Sequence, residues 1–267
     1  MGYLPSRERI VVKLLLHACC GPCSLEPTRL LKAAGHDITI YYANSNIAPR
    51  EEYEHRLATL EEWARAEGIP VIEGPYDPAT WENTAGRIGD AALARVHANV
   101  LSVDPAQRRA RCRACYRLRL EETARVAAEH GFEGIGTTLS VSPYQYTEVI
   151  REEVDRAAER HGLAGVFEDF RPYYDEATRK SRELGMYRQN FCGCRISDEE
   201  AAAERAERKA ERAAQKAAER AAHADEIAAA EAKRAAHRAE RAAYDKKQAK
   251  KRAILKALRA QAKKPEA

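Results

Sequence analysis

The sequence predicts an α/β fold, a parallel sheet flanked by helices, followed by a long tail of different character. Three observations carry this. Short apolar, β-branched segments alternate with helix-length amphipathic ones. Residues 10–18 form a nearly continuous apolar run, the pattern of a strand buried on both faces. Composition then changes near residue 198: residues 1–197 hold all fourteen glycines and ten of the eleven prolines, whereas 195–264 contain neither and are mostly Ala, Arg, Glu and Lys. The expected organisation is one domain over 1–197, long enough for a proper core, and a tail over 198–267.

The elements follow in order. The first strand runs into His17-Ala18-Cys19-Cys20-Gly21-Pro22-Cys23-Ser24, where Ser24 is the expected cap of a helix over 25–35 stopped by Gly35. A second strand covers Ile38 to Ala43, and Pro49 opens a helix over 49–67 with Tyr53, Leu57 and Leu60 on one stripe. Val71-Ile72-Glu73 is a third strand. Residues 77–104 look helical but broken at Gly86 and Gly89. Arg108, Arg109 and Arg111 lead into Cys112, and a helix covers Cys115 to His130. A strand over Gly134–Leu139, a helix over 144–161, a short strand over Val166–Phe170 and a helix over 175–187 complete the domain before Cys192-Gly193-Cys194. In such a sheet the ligand lies beyond the carboxyl ends of the strands. The cysteine loop after the first strand is placed there.

The net charge of +4 hides an asymmetry. Residues 201–267 carry 19 Lys+Arg against 10 Asp+Glu, and residues 1–200 carry 26 against 31. The basic character therefore belongs to the tail, which suits a polyanion. The N-terminal apolar run is too short for a signal peptide, and no stretch approaches a membrane span. The expected location is cytoplasmic, with no membrane partner. In that compartment clustered cysteines point to metal binding or redox catalysis rather than structural disulfides.

All seven cysteines fall in three clusters: Cys19, Cys20 and Cys23; Cys112 and Cys115; Cys192 and Cys194. Cys112 and Cys115 share one helix face, a spacing that suits chelation. Four thiolates from the first two clusters suffice for a tetrahedral zinc or an iron–sulfur cluster. Cys23 is a spare ligand for a second metal or a buried thiol. Cys192 and Cys194, with a glycine between them, suit a strained, labile disulfide or two further metal ligands. The sequence has no P-loop and no Ser-Gly-Gly-x-Asp-Ser loop after the first strand, which argues against ATP-dependent chemistry there.

Five ordered stretches resemble one family. They are His17 to Ser24; Cys112-Arg113-Ala114-Cys115-Tyr116 with Arg119-Leu120; Thr137 to Gln145; Asp169-Phe170-Arg171-Pro172; and Tyr187 to Cys194. Over about residues 10–197 they are similar to the cobalamin-independent epoxyqueuosine reductases, QueH. The tail has no counterpart in that resemblance. The resemblance implies a Rossmann-like domain, a [4Fe-4S] cluster on Cys19, Cys20, Cys112 and Cys115, and a redox-active disulfide at Cys192 and Cys194. It implies reduction of epoxyqueuosine to queuosine at the tRNA wobble position, with an external electron donor of unknown identity. A second iron is a further expectation, with Cys23 as its candidate ligand. Asp169, Tyr187 and Tyr144 are candidate proton donors. The alternative is a zinc-stabilised, non-enzymatic RNA-binding module.

An anticodon loop offers splayed bases, for which Tyr53, Trp81, Tyr144, Tyr146 and Tyr173 are candidate stacking platforms. Arg108, Arg109, Arg111 and Arg113 form a candidate phosphate clamp. Ser197-Asp198-Glu199-Glu200 reads as a capping box opening a helical or disordered tail, whose charge suits contact with a tRNA backbone.

Overall fold

The structure, a computed structural model, describes residues 11–90 and 104–261. Five strands form one sheet: β1 (Lys13–His17), β2 (Asp37–Tyr42), β3 (Val71–Glu73), β4 (Gly134–Thr137) and β5 (Ala164–Val166). Their order is β3-β2-β1-β4-β5 and every neighbouring pair is parallel. The helices between them are α1 (Gly21–Ala33), α2 (Arg50–Ala66), the short α3 (Pro78–Trp81) extended by a π turn at Glu82–Gly86, α4 (Pro105–Glu129), α5 (Thr147–His161) and α6 (Tyr174–Glu183). Then come α7 (Arg195–Ala222) and α8 (Ala224–Gln261). The predicted α/β class holds.

The sheet explains the first apolar run. Leu14 and Leu16 face one core layer with Ile38, Ile40, Tyr53, Leu57 and Leu60; Leu15 faces the other with Ile135, Leu120, Val149 and Val154. Successive residues alternate faces, so only an unbroken apolar run satisfies a central strand covered on both sides. β1 is that strand, and the strand order reverses between it and β4. The loops leaving β1 and β4 therefore diverge and open a crevice at the carboxyl edge.

Several boundaries differ from those predicted, for local reasons. Helix α1 begins at Gly21, not near residue 25, because Pro22 suits a first helical turn; Ser24 instead donates to the Cys20 carbonyl at 2.8 Å. Helix α4 begins at Pro105, capped by the Asp104 carboxylate on Ala106 N at 2.9 Å, so Cys112 and Cys115 lie well inside it. The last strand ends at Val166, and 167–170 run on as loop. Ser197 and Glu200 form no capping box: helix α7 starts at Arg195, Ser197 Oγ donates to the Cys194 carbonyl, and Glu200 bonds an arginine. Of the broken helix expected over 77–104, residues 91–103 lie outside the described residues, as do Ile10 of the first strand and 262–264 of the tail.

The chain divides into two compact units, Met1–Arg205 and Ala206–Ala267. The second unit is helical through nearly all of its described length. Among the described residues no helix is long and apolar enough to cross a membrane.

Candidate metal–thiol centre

The centre starts at the end of β1. His17 is fully buried, and its Nδ1 lies 2.9 Å from Thr137 Oγ1, tying β1 to β4 at the reversal point. Burial, reinforced by the nearby Arg119 charge, lowers its pKa to about 3, so the ring is neutral. The chain then turns through Cys19 to Cys20, the N-cap of α1, and Cys23 sits in the first helical turn. The three sulfurs lie within 4.8 Å of one another. Among the described residues this is the one group of three or more ligand-type side chains drawn that close. Hydrogen bonds from Cys19 and Cys23 hold the Cys20 thiol well below its usual range, while Cys23 is pushed up by the same sharing. Gln189 Nε2 donates to Cys20 Sγ at 3.0 Å.

A second group gathers beside the first. Cys112 and Cys115 project from α4, and Cys192 and Cys194 come from the segment entering α7. Cys115 and Cys194 pack together with Trp81, Ala85 and Ile196. Burial pushes the Cys112 and Cys194 thiols up to about 12, and each of these thiols feels the charge of Cys192 and Cys115. Cys192 Sγ accepts from Gln145 Nε2 at 3.6 Å; Gln145 in turn accepts from Tyr116 OH at 2.6 Å.

What holds α7 against α4 is a buried ion pair. Arg111 Nη2 donates to Glu200 Oε2 at 2.9 Å, with both side chains almost wholly buried. Burial is the largest influence and works against the Arg111 charge, but Glu200 together with Cys112 and Cys194 outweighs it and the net shift is upward. Removing one partner leaves the other charge buried and alone. Glu200→Ala is expected to cost about 3–5 kcal/mol in urea unfolding; a loss below about 1 kcal/mol would show the pair is not needed.

Two arginines join the groups. Arg119, 3% exposed, donates to Asn44 Oδ1, and its Nε has no hydrogen-bond partner. Its nearest titratable neighbours are the Cys115, Cys19 and Cys192 thiols, and it makes no carboxylate pair among the described residues. A buried guanidinium without a counter-charge is costly, and among the groups beside it the cysteine sulfurs could supply that charge only as thiolates. Arg56 comes from α2, bonded to Glu52 at 2.7 Å and to the Cys192 carbonyl at 3.0 Å. It braces the turn at Gly193, whose φ is +125° and where a Cβ would lie 2.9 Å from Ile47 and 3.0 Å from Arg56. Only glycine fits between the two thiols.

The other expected site residues divide. Tyr187 OH donates to Glu52 at 2.6 Å and its ring stacks on His55, so it joins the Arg56 chain. Asp169 lies in the loop after β5, and hydrogen bonds from Arg171 hold its carboxyl below the usual range. Tyr53 and Trp81 are core residues rather than open platforms, because each is buried against a neighbouring helix or strand; Tyr144 and Tyr173 are exposed, and Tyr146 is partly buried. The basic run is not a free clamp. Arg108 reaches Glu204, Arg111 Glu200 and Arg113 Glu153, while Arg109 lies over the Tyr146 ring.

All seven cysteines are free thiols. Soft donors in two adjoining groups around a buried cation fit a thiolate-bound metal or iron–sulfur group better than a hard cation. The model of the family described as epoxyqueuosine reductase QueH matches residues 14–200. The chain belongs to that family. Curated members named epoxyqueuosine reductase QueH include one from Staphylococcus aureus (strain Mu50 / ATCC 700699), 32% identical over 70% of this chain and 76% of its own. The Thermotoga maritima member is 32% identical over 73% and 94%, and the Dehalococcoides mccartyi member 30% over 70% and 93%. The family makes the chain an oxidoreductase. Helix α8 lies wholly beyond the match.

Residue types alone had not singled out Arg56, Gln145 or Gln189 as neighbours of the thiols. One signal for Arg56 was available: a charged residue on the same helix stripe as Tyr53, Leu57 and Leu60, all buried. The glutamines carry no such signal, because polar residues in loops are ordinary.

Proposed function

We propose that this chain reduces epoxyqueuosine to queuosine at the wobble position of a tRNA, the last step in making that nucleoside. Family membership supports the reaction. The observation that carries its assignment to this site is the convergence of cysteines from three distant stretches beside the crevice at the carboxyl edge of the sheet, with Arg119 among them. The reaction takes two electrons and two protons, breaks both C–O bonds of the epoxide, and yields an alkene and water.

On this reading Cys19, Cys20, Cys112 and Cys115 hold a [4Fe-4S] cluster, which when bound supplies one-electron transfer. Cys23 is drawn to the Cys19 and Cys20 sulfurs and suits a second iron. The remaining steps belong to the chain itself. Cys192 and Cys194 pass from two thiols to one disulfide, releasing the two electrons and two protons the epoxide consumes. An external electron donor reduces them again. Arg119 keeps positive charge beside the sulfurs. Tyr187 carries a proton held on by its bond to Glu52, and is better suited to protonate the departing oxygen than Asp169, which Arg171 keeps ionised. Asp169 then orders the loop at the crevice. Tyr144 and Tyr173, exposed on the loops after β4 and β5, suit stacking with bases of an anticodon loop. A tRNA substrate and a reductant suit a cytoplasmic location.

The test is anaerobic. Reconstituted protein is given dithionite and a tRNA carrying epoxyqueuosine, and the nucleosides are analysed by mass spectrometry. Queuosine should appear in place of epoxyqueuosine; unchanged epoxyqueuosine with a full iron complement would remove the assignment.

A further inference from the structure

We infer that helix α8 is a binding surface for the phosphate backbone of RNA, a contact separate from the chemistry at the nucleotide being reduced. The inference rests on the tRNA reading above and adds a second contact to it.

The positive charge of the tail is not evenly spread. Residues 201–232 carry six Lys+Arg against seven Asp+Glu, whereas 233–264 carry thirteen against two. Ten of those thirteen lie between Lys233 and Lys256 of α8, and all ten are exposed. Among the described residues none of the ten makes an ion pair. The contrast with the first unit is sharp, since there Arg56, Arg111, Arg113, Arg117 and Arg171 are each committed to a carboxylate. Cations left uncommitted along a helix are the form in which charge is available to an external polyanion.

The charge density of the helix suits a polyanion. The ten cations span about 35 Å at 1.5 Å per residue, roughly one per 3.5 Å. A nucleic acid duplex carries, on each strand, about one phosphate per 3.4 Å of its helix axis. At 100° per residue Arg234, Arg238, Arg241, Arg252 and Lys256 fall within an arc of about 60°, interrupted by the one acid Asp245. They form a stripe that can follow a backbone. A lipid surface suits the helix less well. Membrane-lying helices bury a continuous apolar face, and the large apolar side chains here are only Ile227, Tyr244, Ile254, Leu255 and Leu258. Binding of this kind is electrostatic and indifferent to sequence. It raises affinity for any tRNA without changing the chemical step.

The test uses the full chain and an unmodified tRNA transcript, so it reads binding alone. Arg234, Arg238, Arg241 and Arg252 are replaced together by Gln in one variant and by Lys in another. Losing four phosphate contacts should weaken binding at least about tenfold near 0.1 M salt, and should reduce the slope of log K against log salt by about 3. The Lys variant should stay within about twofold, since the charge remains. Visible absorbance and helical circular dichroism should not change in either. Equal affinity and slope in the Gln variant would overturn the inference, as would tighter binding to anionic phosphatidylglycerol vesicles than to the tRNA at the same salt. The reductase reading fails separately, in the epoxide assay, whichever way this one falls.

Discussion

Cys20→Ser should leave a folded protein that binds little or no iron and whose reductase activity falls by at least about a thousandfold. The substitution removes one atom type at a position where the fold gains from it. Cys20 is the N-cap of α1 and makes no side-chain capping bond, and serine is among the preferred caps. What is lost is the sulfur that both neighbouring thiols and Gln189 address. A serine hydroxyl is a harder donor that holds its proton, and so is a poor substitute in a thiolate site. Iron and sulfide content and visible absorbance read the effect directly; full iron content would place the centre elsewhere. Cys23→Ser sharpens the same measurement. If Cys23 serves a separate iron, iron content falls by about one atom while the cluster absorbance stays. If the absorbance bleaches entirely, Cys23 is itself a cluster ligand.

Cys192→Ser should show the opposite pattern: iron content retained, and turnover with a physiological reductant reduced at least about a hundredfold. Cys192 lies beside the thiols proposed to bind the metal, held through its carbonyl by Arg56 and at its sulfur by Gln145. Its substitution should not disturb the trio at α1. A single turnover driven by dithionite would survive if the pair serves only to accept electrons from the donor. Full turnover with the physiological reductant would remove the pair from the reaction. Loss of iron would instead make Cys192 a ligand.

Much of the fold was legible because its signals are local. The run around Leu14–Leu16 needs no tertiary information to be read as a doubly buried strand. Gly35, expected to stop the first helix, adopts positive φ there, and Gly68, Gly131 and Gly162 do the same just past later helices. Where local signals were ambiguous, the reading slipped. Gly21-Pro22 can close a strand or open a helix, and only the packing of α1 on the sheet decides. Ser197 and Glu200 have the spacing of a capping box, but Glu200 is claimed by Arg111, 89 residues earlier, in a buried pair worth more than a cap.

The sequence by itself determined the α/β class, the basic charge of the tail, and which residues are chemical. Cysteine is rare, and seven of them in three tight spacings announce a soft-metal or redox site without any coordinates. The tertiary structure decided which of those residues meet. It drew Cys23 to within 4.8 Å of Cys19 and Cys20, set Cys112 and Cys115 beside Cys192 and Cys194, and supplied Arg119 and Arg56 as the cations among them. It also withdrew most of the arginines beside Cys112 from solvent-facing roles by pairing them with glutamates, while among the described residues Arg234, Arg238, Arg241 and Arg252 of α8 make no ion pair. The physical reason is that residue type and spacing are written along the chain, whereas the partner of a buried charge or thiol is set by which elements the sheet order brings to the same edge.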